Sequence, residues 1–373
     1  MNNTTNLNDL YNEDDNIPFF PIYVYGIFGI VGSLIILLTV FGNALTILSY
    51  IRDRKLHSVY NTYIFNFAIA DFILGFIVMP IYLAYIIGPS SLWLDYYFCK
   101  VFLVIDFTAC VEGVFMMIII SYDRLMLLRS GVSYHQRETK NKCLTLIASS
   151  WILSFLIYGP SIMFWDVWHD GNINIPGTCD VQFAHDSIFT TTTAVMEFFI
   201  PLVLLAVVDT CIIIELRKRT KFRISSIFRR SIRQSVKGGS TTTKGSLISA
   251  TEKQSTDSTF DSIKSKDCSK KKENKKCQTD YRKHRERKAI KSLGILMVVF
   301  FITWAPYTIY TIIKSVKKGD IEVLSYEALT WFLWLKSAVN PVLYAFSSKR
   351  YRMNFKYFLC FVKNITRFNK NKI

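Results

Sequence analysis

Seven long apolar blocks limit what this chain can fold into more than any other feature. They fall at about 23–51, 60–86, 99–127, 144–166, 188–215, 289–315 and 323–346. Each is long enough to cross a bilayer, for which ~20 apolar residues suffice, and too uniform to be one face of a water-soluble core. Hydrocarbon offers no partner to a bare peptide group, so every block must be helical. The expected fold class is an all-α membrane protein, a seven-transmembrane helix bundle with a short amphipathic helix on the inner leaflet.

Charge in the connections sets the expected orientation. Arg52, Arg54 and Lys55 follow the first block, and Arg124, Arg129, Arg137, Lys140 and Lys142 follow the third. The connection 217–288 holds 23 Lys/Arg against 7 Asp/Glu, and Lys349, Arg350 and Arg352 follow the last block. Opposite connections are nearly free of basic residues, apart from Lys314, Lys317 and Lys318 near the end of the sixth block. Basic residues gather on the cytoplasmic side, so the amino terminus is expected outside and the carboxyl terminus inside a plasma membrane. The net charge of +17 reads as topology, not as a nucleic-acid surface.

The expected organisation follows. Residues 1–22 form an extracellular tail without a signal peptide's basic start and apolar stretch. Spans one to five occupy 23–219, and 220–283 is a disordered cytoplasmic loop rich in Ser, Thr and Lys, with helical extensions of the fifth and sixth spans at its edges. Spans six and seven occupy 284–346, and 347–373 is an amphipathic helix and tail. That helix places Tyr351, Phe355, Phe358 and Leu359 on one face among Lys and Arg, as membrane-surface helices do. Cys360 at its end is either palmitoylated or an unmodified thiol. Of eight cysteines, Cys99 and Cys179 alone lie on the extracellular side, where disulfides persist. A bridge between them would tie the loop before the fifth span over the bundle mouth. Asn2 and Asn3 head glycosylation sequons facing outward.

Inside the third block stand Asp106 and, eighteen residues on, Arg124. Eighteen residues are about five turns and ~27 Å, so both leave one helix face near opposite ends. A charge in hydrocarbon is costly and should face a bundle interior or wet cavity. One helix thus offers an anionic site near one end and a cationic arm at the other.

Short signatures now appear one per helix and in order. They are Gly42-Asn43, Ala70-Asp71, Asp123-Arg124, Trp151, Pro201, Trp304-Ala-Pro306 and Asn340-Pro-Val-Leu-Tyr344. The set resembles the rhodopsin-like (class A) G-protein-coupled receptors over nearly the whole membrane portion. Within that family Asp106 resembles the amine-binding aspartate of the aminergic group. Glu197, one helical turn from each of Thr193 and Pro201 and on the same face, supplies a second acid at similar depth. With Phe198, Phe199, Trp304, Tyr307, Thr308, Trp331 and Trp334, it resembles the inhibitory-coupled histamine receptors. The resemblance implies that Asp106 holds an alkylammonium and Glu197 an imidazole, and that Trp304, Tyr307 and Trp334 form an aromatic wall. Cys110, Thr308 and Trp331 complete the expected ligand contacts, while Phe198 and Phe199 read equally well as packing. Glu197 also suits another dibasic amine, and an acetylcholine or other monoamine receptor is the alternative. A transporter is more distant, because the spans show no internal repeat.

The chain departs from the family's pattern at several places. Asp71 is present, but Gly113 stands where a hydroxyl is expected, beside Glu112, and Lys336 replaces a small polar residue. Lys336 is expected to pair with Asp71 or Glu112 and to take the place of a sodium ion. Asp209 stands where a tyrosine is common and could engage Arg124, and Glu286 matches an acid that locks Arg124 at rest. The resemblance implies a switch built from Asp123, Arg124, Asp209, Glu286, Asn340 and Tyr344. It also implies an amine agonist, a heterotrimeric G protein of the inhibitory class, receptor kinase, arrestin and membrane lipid as partners. No cofactor or metal is expected, and the sequence lacks a phosphate loop, a metal-ligand cluster or a paired nucleophile, so it is not expected to be an enzyme.

Overall fold

The computed structural model describes residues 21–87, 95–134, 139–169, 179–237, 271–317 and 323–370, and the backbone alone over 220–237, 271–293 and 361–370. Asn2 and Asn3 lie outside the described residues, as does the side chain of Glu286. Six helices among the described residues are long and apolar enough to cross a membrane. They are α1 (Ile22–Arg52), α2 (Val59–Ile87), α3 (Tyr96–Ser130), α4 (Lys140–Trp168), α5 (Ser187–Ala194, continuing through Val195–Phe199 into Ile200–Lys237) and α6 (Lys271–Lys317). The next, α7 (Val323–Ser347), is less apolar because it carries Glu327, Lys336 and Asn340, all buried. It packs against α6 and α1, so neighbouring helices rather than lipid surround its polar side chains.

The centre of the bundle is α3, which touches α2, α4, α5 and α6. Its most apolar window is 61% buried against 22% for α1, which explains why functional charges collect on it. Three helices start on side-chain caps. Asp95 accepts from the Tyr97 amide, Thr139 from that of Lys142, and Asp186 from those of Ile188 and Phe189. Each satisfies donors that a helix start leaves without a partner.

Two helices widen into a π turn, at Leu74–Val78 in α2 and Val195–Phe199 in α5. Each ends two residues before a proline, Pro80 or Pro201. Proline has no N–H for the carbonyl four residues back and its ring crowds that carbonyl, so a wider turn relieves the clash. In α5 the widened turn contains Glu197. The regular 3.6-residue spacing expected to put Thr193, Glu197 and Pro201 on one face is therefore broken there, which corrects that expectation.

The last helix, α8 (Lys349–Lys370), folds back on α1. Tyr351 is fully buried and Phe355 partly so, whereas Leu359 is exposed. Arg52 lies 3.5 Å from the Tyr357 ring centroid and donates to Asn354 at 2.9 Å, while Arg350 sits 3.5 Å from Asp53. Burial raises the Asp53 carboxyl, but the Lys55 amide, Asn354 and Arg350 outweigh it and hold the group below the usual carboxylate range. The helical extensions expected at the edges of the loop 220–283 are present, since α5 runs to Lys237 and α6 begins at Lys271. Residues 238–270 lie outside the described residues.

Candidate functional site

A cavity of about 220 Å³ opens between α2, α3, α5, α6 and α7, beside the loop residues Cys179 and Asp180. The disulfide Cys99–Cys179 ties that loop to the start of α3, and the Cys179 amide donates to the Tyr85 hydroxyl at 3.4 Å. Asp106, Cys110, Glu197, Trp304, Tyr307 and Trp334 all line the cavity, as expected of a ligand site. Two of the expected contacts do not. Thr308 is buried with its hydroxyl unpartnered, and Trp331 packs edge-on against Trp334 with ring centroids 5.4 Å apart. Both point into packing between helices. Phe198 packs on Phe300 at 5.9 Å, and Phe199 is largely exposed on the outer face of the bundle.

The two central acids are held differently. Asp106 accepts from the Cys110 thiol at 3.5 Å and lies within hydrogen-bonding reach of the Trp334 indole. Glu197 accepts from the Tyr158 hydroxyl at 2.6 Å, which fixes its rotamer and leaves the other oxygen available. Two carboxylates on different helices, with tryptophan and tyrosine between them, suit a small ligand with a cation at one end and a cation or strong donor at the other. Further lining residues that the motifs do not mark are Tyr82 and Tyr85 of α2, and Tyr326, Glu327 and Thr330 of α7. Glu327 was detectable, because it stands seven residues from Trp334 and so on the same helix face.

Beneath the cavity floor lies Lys336, fully buried, with its ammonium 4.0 Å from the Trp304 ring centroid and no hydrogen-bond partner. Gly113 adjoins the lysine: a Cβ there would sit 3.8 Å from Nζ, an ordinary contact, and 3.3 Å from the Phe67 ring, a tight one. The expected pairing with Glu112 is not made. Glu112 faces the opposite way and accepts from Asn66 at 2.7 Å, Ser150 at 3.0 Å and Ser154 at 3.3 Å. Nor is Lys336 bonded to Asp71, which instead accepts from the Asn340 amide at 2.7 Å. Each acid has nearer donors, and the ammonium settles on the aromatic face.

At the far end of α3, Asp123 accepts from the Tyr134 hydroxyl and stands 3.7 Å from Arg124. The Arg124 guanidinium stacks 3.2 Å from the Tyr60 ring centroid. Asp209 is buried with Oδ2 unpartnered, so the expected Arg124–Asp209 contact is absent here. Tyr344 is buried, its hydroxyl without a partner. Cys360 is exposed on α8 as a free thiol.

The family model described as 7 transmembrane receptor (rhodopsin family) matches residues 42–344. The Histamine H4 receptor of Homo sapiens is 29% identical over 362 residues, covering 89% of this chain and 91% of the relative. That of Mus musculus is 29% identical over 352 residues, 86% and 89% of the two chains. The Muscarinic acetylcholine receptor gar-3 of Caenorhabditis elegans is 31% identical over 194 residues, covering 52% of this chain and 31% of that one.

Proposed function

We propose that this chain, which belongs to the rhodopsin family of seven-transmembrane receptors, is a plasma-membrane receptor for a protonated biogenic amine, histamine first among them. As a member of that family it is a G-protein-coupled receptor and not an enzyme. The observation that carries the ligand assignment is the pair of carboxylates, Asp106 and Glu197, lining one cavity with Trp304, Tyr307 and Trp334. An ammonium on Asp106 and an imidazole on Glu197 would satisfy both acids in a setting where ion pairs are little screened. The full-length similarity to histamine receptors supports the same reading.

In the proposed orientation the cavity faces outside and Arg124 faces the cytosol, where an inhibitory heterotrimeric G protein docks. Kinase and arrestin would use the same face. Amine binding favours the conformation in which the cytosolic ends of α5 and α6 part to admit the G protein's terminal helix.

Acetylcholine is the second reading, favoured by the muscarinic relatives that match about half of the chain. Its single quaternary charge would leave Glu197 without a ligand partner. Amine-stimulated nucleotide exchange, in membranes free of other aminergic receptors, separates the two. Asp106→Ala abolishes the response to every amine. Glu197→Gln weakens histamine at least tenfold, about 1.4 kcal/mol, and leaves acetylcholine unchanged. An unimpaired histamine response in Glu197→Gln refutes the two-acid reading.

A further inference from the structure

The cavity is longer and more acidic than a two-point amine needs. Four carboxylates (Asp106, Asp180, Glu197 and Glu327) and one ammonium, Lys314, line it, a formal charge of minus three. Lys314 stands 4.0 Å from Asp180 and 5.0 Å from the Tyr326 ring centroid, so it serves the loop acid. Glu327 is different. It is only 7% exposed, it lies within hydrogen-bonding reach of the Tyr82 hydroxyl, and its Oε2 has no hydrogen-bond partner. Glu327 lines the cavity, and a buried carboxylate with an oxygen that meets no donor is costly to maintain without a cation beside it.

The surrounding walls suit a cation. Tyr82 packs edge-on against Trp334 with centroids 5.1 Å apart, and Tyr326 packs on Tyr307 at 5.9 Å, their hydroxyls 3.4 Å apart. These rings line the half of the cavity that holds Glu327, and aromatic faces beside a carboxylate are what an ammonium prefers. Spacing fixes the reach. Trp334 lies beside Asp106, and Glu327 is seven residues along α7 toward the disulfide end, two turns and ~10 Å away on one face.

We propose that this half of the cavity is a second cation subsite, built on Glu327 between Tyr82 and Tyr326, which takes the far ammonium of an elongated diamine anchored on Asp106. The proposal rests on Asp106 holding the first ammonium, the same premise as the amine-receptor reading. It extends the ligand class from compact amines to linear diamines and polyamines whose charges lie ~10 Å apart.

The test uses purified full-length receptor and measures dissociation constants for two matched pairs: octylamine with diaminooctane, and propylamine with diaminopropane. An extended diaminooctane places its nitrogens ~11 Å apart, close to the Asp106–Glu327 reach. The ratio within each pair isolates the second charge from the apolar chain. The subsite requires diaminooctane to bind at least tenfold tighter than octylamine, and requires Glu327→Gln to reduce that ratio to about two or less. Equal affinities on the native receptor, or a ratio that survives Glu327→Gln, overturn the subsite. Either result leaves the Asp106 anchor intact so long as propylamine binds and Asp106→Ala abolishes that binding. If Glu327→Gln does not fold, Tyr326→Leu replaces it. Removing that wall must reduce the long-diamine ratio several-fold, and an unchanged ratio counts against the proposal.

Discussion

Replacing Glu112 tests the buried polar contact that the sequence placed on the wrong partner. The carboxylate is fully buried between α2, α3 and α4, and three donors converge on it. Glu112→Leu removes the acceptor but does not strand all three. Ser150 keeps its bond to the Ile147 carbonyl at 2.8 Å, and Ser154 can turn back to a carbonyl one turn earlier, as helix serines do. Asn66 has no such escape. Its Oδ1 already accepts from the Trp151 indole at 3.0 Å, which holds the amide and leaves Nδ2 facing leucine. One stranded buried donor costs about 1–3 kcal/mol, and the branched leucine fills a carboxylate-shaped site imperfectly. The total is about 2–3 kcal/mol, a fall of roughly 4–8 °C in the midpoint of thermal unfolding. Glu112→Gln keeps an acceptor for Asn66 and Ser150 and offers N–H to the Ser154 oxygen, so it costs less than about 1 kcal/mol. Thermal unfolding of purified receptor in lipid nanodiscs measures both. If Glu112→Leu unfolds at the native temperature, the network contributes nothing and the assignment is wrong. A cycle with Lys336→Met decides the partner. Independent sites add within about 0.5 kcal/mol, whereas a Glu112–Lys336 ion pair would couple by more.

With the Lys336 ammonium buried against Trp304 and beside Gly113, amine affinity is expected to be equal in sodium and potassium buffers. A sodium-dependent loss of agonist binding would show that a mobile ion still enters. Substituting Cys99 and Cys179 by serine opens a link across a sequence separation of 80 and should lower thermal stability by about 4 kcal/mol. Mild reductant should do the same to the native receptor and nothing to the double variant, and a native receptor indifferent to reductant would refute it. The depressed Asp53 carboxyl makes the docking of α8 on α1 pH-dependent in one direction. A lowered folded-state value means that the contribution is complete above the unfolded carboxylate's 3.8 and disappears as pH falls through the folded-state value. A fluorophore on Cys360 should therefore report a constant α8 environment from pH 8 to about 5, and Asp53→Asn should abolish any acid transition below that.

The seven blocks, the bridged cysteines and most cavity residues were legible because each rests on one-dimensional information: length, sidedness or spacing along a single helix. Expectations failed where a residue's direction around the helix decided the matter. Glu112 follows Asp106 by six residues, which turns it ~120° away from the ligand face at 100° per residue. Ser150 and Ser154, one turn apart on α4, were its readable partners. Lys336 stands out in the sequence as a charge within a span, but choosing between an acid and an indole needs three-dimensional proximity. The π turn under Glu197 was foreshadowed by Pro201, yet its effect on side-chain direction becomes visible only once the backbone is placed. Glu327 was overlooked because an acid near the end of a span reads as interfacial. It is buried, with Tyr82 of α2 within hydrogen-bonding reach, and sequence order says nothing about that neighbour.

Trp304 joins the two halves of this arrangement. It lines the cavity, carries the Lys336 ammonium at 4.0 Å, and packs on Phe300 at 5.2 Å, which in turn meets Phe198 within the widened turn of α5. On the proposed reading, an amine reaching Asp106 would bring a second positive charge toward Lys336, and contact with Glu197 would pull on the turn that holds Phe198. Both effects act on one indole. Converting a resting population of 1:99 to 99:1 needs ~5.5 kcal/mol of differential affinity. Two charge-assisted contacts of about 1.5–3 kcal/mol each supply that only if both are made mainly in the active packing. A ligand satisfying one acid equally well in both packings would bind and not signal, since affinity common to the two states shifts nothing. At the other end Arg124 rests on Tyr60 and Asp123, and Asp209 stays unpaired. On the proposed receptor reading, activation therefore has no Arg124–Asp209 bridge to break, and the contacts it must release are those of Arg124 with Tyr60 and Asp123.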